Sequence, residues 1–206
     1  MKRPWVACLA LLLATETTAL AQPDERRAEA AERFDRGLRH FDEGNLAAAL
    51  AELQKAHSLL PNPVVELNVA LVQAAMGRAV DAVATLDRVL AAPGALSAAK
   101  VEQARRVRDE QAARIGELVI QVATAGATIE IDGIPAGKSP LPAPVRVASG
   151  EHVVQVLAPG HVPARKPVVI AGRERKELTL VLTPMEGRPG WVAIHTAVPA
   201  VDVRLD

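Results

Sequence analysis

Tyrosine is absent from this chain, and the whole of it holds two phenylalanines, two tryptophans and one cysteine. Poverty in aromatics forces the interior to be built from Ala, Leu, Val and Ile. It also argues against sugar or base stacking, which needs aromatic platforms. The formal net charge is zero, so a general nucleic-acid binder driven by phosphate attraction is excluded as the first reading. Cys8 lies inside a short apolar run near the start. If that run is removed, no disulfide, thiolate metal site or cysteine nucleophile remains. The five histidines, His40, His57, His152, His161 and His195, never fall at i,i+4 on one helix and never form a His-Glu-x-x-His run, so no metal ligand set emerges. A Gly-x-Ser-x-Gly elbow is missing as well, which leaves a serine hydrolase without its nucleophile turn.

Only one stretch is apolar enough to suggest targeting. Lys2 and Arg3 precede the run Trp5 to Ala14, and Ala19-Leu20-Ala21 has the small-x-small form of a cleavage site. Residues 1–21 are thus expected to be a secretory signal peptide, too short to span a bilayer. Because Cys8 sits within the run, a lipoprotein cysteine is not the reading. Removal takes away Lys2, Arg3 and Glu16, so the mature chain stays near neutrality and is expected to be soluble, exported and periplasmic or otherwise associated with the cell envelope. About 185 residues remain, room for one or two modest domains.

What is present begins with helical periodicity. After a polar lead at residues 22–26, Phe34, Leu38 and Phe41 recur at i, i+4, i+7, and Gly44-Asn45 breaks the pattern. Leu46, Leu50, Leu53, His57 and Leu60 line a second helix ended by Pro61. Pro63 opens a third, with Leu67, Ala70, Leu71 and Ala74 in register up to Gly77. Val80, Val83, Leu86 and Leu90 make a fourth, stopped by Pro93-Gly94. The two hairpins repeat at a spacing of 33, as Gly44 to Gly77, Ala49 to Ala82 and Leu53 to Leu86 show. This resembles the tetratricopeptide repeat. Gly37, Ala49, Leu53, Ala56 and Pro61 stand at that family's small, packing and terminal-proline positions in the first unit, and Ala70, Ala82 and Leu86 in the second. Arg33 and His40 occupy its usual tryptophan and tyrosine places, Val89 replaces an alanine, and Pro93 falls one place early. Terminal repeats need a cap, and Leu96 to Ile115 is expected to supply it as a helix. Ser97 would be its N-cap, Glu102–Arg106, Arg105–Asp109 and Glu110–Arg114 would form i,i+4 ion pairs, and Gly116 would end it. The basic run Arg105-Arg106-Val107-Arg108 reads as a solvated face among acidic neighbours.

Past Gly116 the period changes from 3.6 to 2. Leu118, Ile120 and Val122 alternate with Val119 and Gln121, Thr128 to Ile131 follow, and Asp132-Gly133 is a favoured hairpin turn because both central residues of a type I′ turn need positive φ. Further strands are expected at Val145–Val147, Val153–Leu157, Val168–Ile170 and Leu178–Leu182, with turns at Ser149-Gly150, Pro159-Gly160 and Ala171-Gly172. Gly126-Ala127 before a strand and an Asp-Gly turn, then Gly150-Glu-His, Pro159-Gly-His161 and Leu178-Thr-Leu-Val-Leu, resemble the PEGA domain, although Thr124-Ala125 stand where its first two letters would be. That resemblance implies a small β-sandwich. The fold class expected is therefore multidomain, all-α followed by all-β. A tetratricopeptide-like segment at residues 28–115 (two repeats plus a capping helix) precedes a PEGA-like sandwich at 116–183 and a linker at 184–189. Residues 190–206 repeat 116–132 at an offset of 74, with Gly190, Ile194 and Asp206 matching Gly116, Ile120 and Asp132, and read as the incomplete start of a second PEGA-like unit or as strands for another copy.

Gly137-Lys138-Ser139 has the ending of a phosphate-binding loop. Only three residues separate Gly133 from Gly137, though, and Pro140 follows, so the lysine reads as a surface turn residue. His152 and His161 flank one strand and read as surface histidines, and Asp42-Glu43 as a solvated helix end. No enzyme, cofactor or metal site is expected. The resemblance to tetratricopeptide repeats implies a protein or peptide partner on the inner helices. The candidate contact residues are Phe34, Leu38, Phe41, Leu67, Asn68 and Leu71, with Asn68 at a place where relatives grip a peptide backbone. Phe34 and Leu38 hold the positions of the basic carboxylate clamp, so an apolar helix or strand is the expected ligand. The alternative use of Phe34, Leu38, Phe41, Leu67 and Leu71 is packing of the core or the capping helix. The functional expectation is an exported, non-catalytic envelope protein, its helical repeats contacting another protein and its β modules acting as spacers or adhesive units. A cell-wall or surface-glycan binding module is the alternative. Membrane contact would require chain beyond Asp206.

Overall fold

The structure is a computed structural model and describes residues 21–94 and 96–185. Five helices come first: α1 (Ala21–Asp42), α2 (Leu46–Leu59), α3 (Pro63–Ala75), α4 (Ala79–Ala91) and α5 (Ala98–Ala112). Strands follow: β1 (Ile115–Val122), β2 (Thr128–Ile131), β3 (Ile134–Lys138), β4 (Val145–Ala148), β5 (Gly150–Leu157), β6 (His161–Val162), β7 (Ala164–Ile170), β8 (Arg175–Leu180) and β9 (Thr183–Pro184). They make a three-stranded sheet in the order β4-β1-β8, a four-stranded sheet β3-β2-β5-β7 and a two-stranded ribbon β6-β9. A helical region followed by a strand-rich one is what the change of rhythm near Gly116 announces. Among the described residues, no helix is long and apolar enough to cross a membrane.

The helical hairpins repeat in their backbone bonds as well as in their letters. Gly44 and Gly77 take φ of 77° and 74°, the left-handed conformation that ends a helix cheaply when no Cβ is present. In the first hairpin the Asn45 N–H donates to His40 O at 2.8 Å, and in the second the Arg78 N–H donates to Gln73 O at 2.9 Å. Each pair is 33 residues from the other. The next bonds copy the offset too, Leu46 N–H to Gly44 O and Ala79 N–H to Gly77 O. Ala49, Leu53, Ala82 and Leu86 are all fully buried. At Gly37 a Cβ would lie 2.7 Å from Leu53 Cγ, so the first pair of helices crosses closely because that residue has no side chain. Charge ties α1 to α2: Arg33 and Arg36 both reach Glu52 of α2, at 3.3 and 3.2 Å. The side-chain hydrogen bond that Arg33 donates to Glu29 is the main reason its guanidinium is held above its ordinary pKa.

The boundaries differ from expectation in strands and helices alike: Gly150, expected in a turn, opens β5, and Lys138, expected at a surface turn, ends β3, because both lie on strands held by ladders to β2. α1 begins at Ala21, so residues 22–26 are helix and not a polar lead; Pro23 is tolerated in a first turn, and Asp24 suits the positive end of the helix. α5 is shorter than Leu96–Ile115. Ser97 does cap it, accepting from the Lys100 N–H, but the helix stops at Ala112 and Gly116 lies inside β1. The reason is Ile115, which is buried against Ala79 and Val83 of α4 and so starts the strand. The ion pairs also differ. Arg105 meets Glu102 at i,i+3, while Arg108 leaves its own helix to bond Asp87 of α4 at 2.9 Å. That bond is the first cause of the raised pKa of Arg108.

Contacts divide the described residues into two compact units. One contains the helices with residues 115–120, 143–152 and 168–178; the other contains 121–142, 153–167 and 179–185. In the first unit β1 pairs antiparallel with β4, Glu117 opposite Arg146. Buried Gly116, Leu118 and Ile120 alternate along β1. Gly172 is a point of close approach, since a Cβ there would stand 2.0 Å from Ala113 O. The positive φ of that turn falls on the next residue, Arg173, at 63°.

In the second unit Ile129 and Ile131 face inward from β2, and Asp132-Gly133 forms the expected turn with φ of 53° and 79°. Asp132 fastens this turn to β5: its N–H donates to Val153 O at 2.9 Å, and its Oδ1 accepts from the Val153 N–H at 2.8 Å. The buried Ser139 hydroxyl accepts from the Ala127 N–H and donates to Thr124 O, tying down the signature loop. Residues 184 and 185, expected in a linker, are structured; Pro184 pairs with His161, and the Met185 N–H donates to Gly160 O at 2.7 Å. Strands of two residues such as β6 and β9 carry no periodicity that a sequence could show. The expected signal peptide (apart from Ala21) and the expected second repeat at 190–206 lie outside the described residues.

Candidate binding groove on the helical repeats

The candidate contact residues separate into those the core absorbs and those at an opening. Leu67 is buried with Ala70, Leu86, Val89 and Ala104, and Leu71 packs against the same cluster. Phe41 packs beside Phe34 on the cluster of Ala49, Leu50, Leu53, Val69 and Val72. Asn68 spends its amide on its own helix, donating to Val64 O at 2.8 Å. Leu38 is half-buried. Phe34 lines a cavity.

That cavity holds about 300 Å³ and lies where α1, the end of α2 and the start of α3 meet. Ala30, Ala31 and Phe34 come from α1, Ala56 and Leu60 from the end of α2, and Val64 and Val65 from α3, with Asn62 and Arg27 at its polar edge. Leu60 is 42% exposed. Asn62 is occupied as the cap of α3, its Oδ1 accepting from the Val64 N–H at 2.8 Å. Arg27 is mostly solvated and meets Asp24 at 3.5 Å.

The second repeat explains why the first has this opening. Thirty-three residues on from Ala31, Phe34 and Ala56 stand Val64, Leu67 and Val89. There Leu67 and Val89 are buried, and Ala104 and Val107 of α5, with Leu96 just before it, join the same cluster. In the first repeat the alanines are too short to fill the equivalent space. Periodicity identified Phe34; Ala31, Ala56, Leu60 and Val64 were missed. Comparing the two repeats position by position would have pointed to Ala31 and Ala56, because their counterparts Val64 and Val89 are larger; it gives no such signal for Leu60 and Val64.

Two further cavities carry charged and polar side chains among their lining residues. One, of about 240 Å³, lies among α2, α3 and α4. Buried Thr85 donates to Gln73 Oε1 at 2.9 Å, and Arg88 binds Glu66 at 2.9 Å. The His57 Nδ1 beside them is buried without a hydrogen-bond partner. Another, of about 300 Å³, is lined by arginines and glutamates. His152 and His161, read from the sequence as surface residues, each bond a backbone carbonyl, of Ala148 and of Pro159. Among the described residues no group of three or more His, Cys, Asp or Glu side chains could hold a metal ion.

No curated protein matches the chain. The strand-rich segment does have a relative, as the loop Gly126–Pro140 and the Asp132-Gly133 turn led one to expect: the family model described as PEGA domain matches residues 115–186.

Proposed function

We propose that this is an exported, non-catalytic protein of the cell envelope whose helical repeats, of tetratricopeptide type, hold an apolar segment of another protein. Its PEGA-like β-sandwich serves as a spacer or adhesive module. The observation that carries the reading is the groove at Phe34, Ala56 and Leu60, whose walls are aliphatic or aromatic and whose volume is at the lower end of that of ligand pockets. Its shape suits one or two large apolar side chains presented by a helix or strand, the helix-in-groove mode of recognition. Arg27 at the rim favours an acidic residue flanking them, adding on-rate more than affinity. The exported location rests on residues 1–21 alone.

The test uses the full chain immobilised and exposed first to envelope extract and then to purified peptidoglycan. Protein capture that disappears in Leu60→Asp, with no retention on peptidoglycan, is the expected result. Retention on peptidoglycan by wild type and Leu60→Asp alike would replace this reading with that of a glycan-binding module.

A further inference from the structure

We propose that the cleft formed by Glu117, Arg146, Arg173, Glu174 and Arg175 binds a single oxyanion group, a carboxylate or a phosphate. The cleft holds about 300 Å³ and has Ala112 and Ile115 as its apolar lining. Three arginines face two glutamates there, and the glutamates are largely engaged. Glu174 accepts from the Ala171 N–H at 2.6 Å and meets Lys176 at 3.6 Å, while Glu117 meets Arg175 at 3.7 Å. Arg146 and Arg173 make no ion pair among the described residues. Two guanidiniums are therefore left to a ligand, and their planar donors suit a carboxylate or phosphate held in two places.

The backbone keeps these groups in position. Arg146 stands opposite Glu117 across the β1–β4 ladder. The Arg173 N–H donates to Ile115 O at 2.7 Å, and the Glu117 N–H to Glu174 O at 2.8 Å. Arg173 takes φ of 63°, a conformation that favours Gly or Asn over Arg. An arginine at a turn position where its own backbone is disfavoured is the expected mark of a side chain kept for binding. This inference is independent of the groove on the helices.

The experiment is a titration of the full chain with inorganic phosphate and, separately, with acetate, followed by calorimetry at low salt. Saturable binding is expected for at least one anion, weakening with ionic strength. Which of the two binds more tightly distinguishes a phosphate-bearing ligand from a carboxylate-bearing one. Arg173→Asn should weaken it by about tenfold or more, the loss of a charge-assisted hydrogen bond, while the melting temperature stays level or rises because Asn accepts positive φ. Arg146→Gln should weaken it similarly. The proposal falls if neither anion binds saturably, or if Arg173→Asn and Arg146→Gln bind as wild type does.

Discussion

The two helical hairpins share one backbone and differ in how they close. Their capping glycines and the bonds around them coincide at an offset of 33 residues, and the leucines at 53 and 86 are equally buried. Across the helix–helix seam the first hairpin joins Arg33 to Glu52, while the second places Thr85 at the position of Glu52, where it donates to buried Gln73, and keeps an ion pair of its own, Arg88 with Glu66. Beside the seam the first leaves a groove where the second is filled by Val89 and α5. The repeat is thus specified by small and apolar residues at crossings and caps, and its remaining positions are available for charge or for a ligand.

Substitutions at equivalent positions can break that comparison. Leu53→Ala and Leu86→Ala should each cost about 2–5 kcal/mol in urea unfolding; a marked difference between them would mean the hairpins are not packed alike. Thr85→Val leaves Gln73 Oε1 buried without its donor and should cost about 1–3 kcal/mol at any salt concentration. Gly37→Ala brings a Cβ to 2.7 Å from Leu53 Cγ and should cost about 1–2 kcal/mol net, since overpacking outweighs the gain in helix propensity. Its counterpart change, Ala70→Gly, should cost about 1–2 kcal/mol by losing both helix propensity and a buried methyl. Glu52→Gln, at the partly exposed ion pair, should cost less than about 1 kcal/mol, and the difference should vanish in high salt.

Much of this fold was legible from residues whose physics is local. Gly44 and Gly77 announced helix ends, Ser97 a cap, and Asp132-Gly133 a turn that the structure reproduces with both φ values positive. The errors come from tertiary causes. Nothing in the neighbourhood of Ile115 says that it will pack on α4 and end α5 early, and nothing near Arg108 says that it will cross to Asp87. Gly172 reads as a turn residue, yet its role is to let Ala113 pass and to shift the positive φ to Arg173. The groove escaped for a related reason: a cavity is made by what is missing, and alanines at 31 and 56 look like ordinary helix formers until their second-repeat counterparts are set beside them.

The most direct measurement is photo-crosslinking from position 60 of the full chain in envelope extract, with and without Ala56→Val, which gives the first repeat the side chain the second carries at Val89. A discrete protein adduct in the parent chain that is lost in Ala56→Val, with unfolding stability changed by less than about 1 kcal/mol, is the predicted result. An adduct that persists unchanged when the groove is filled would contradict binding there.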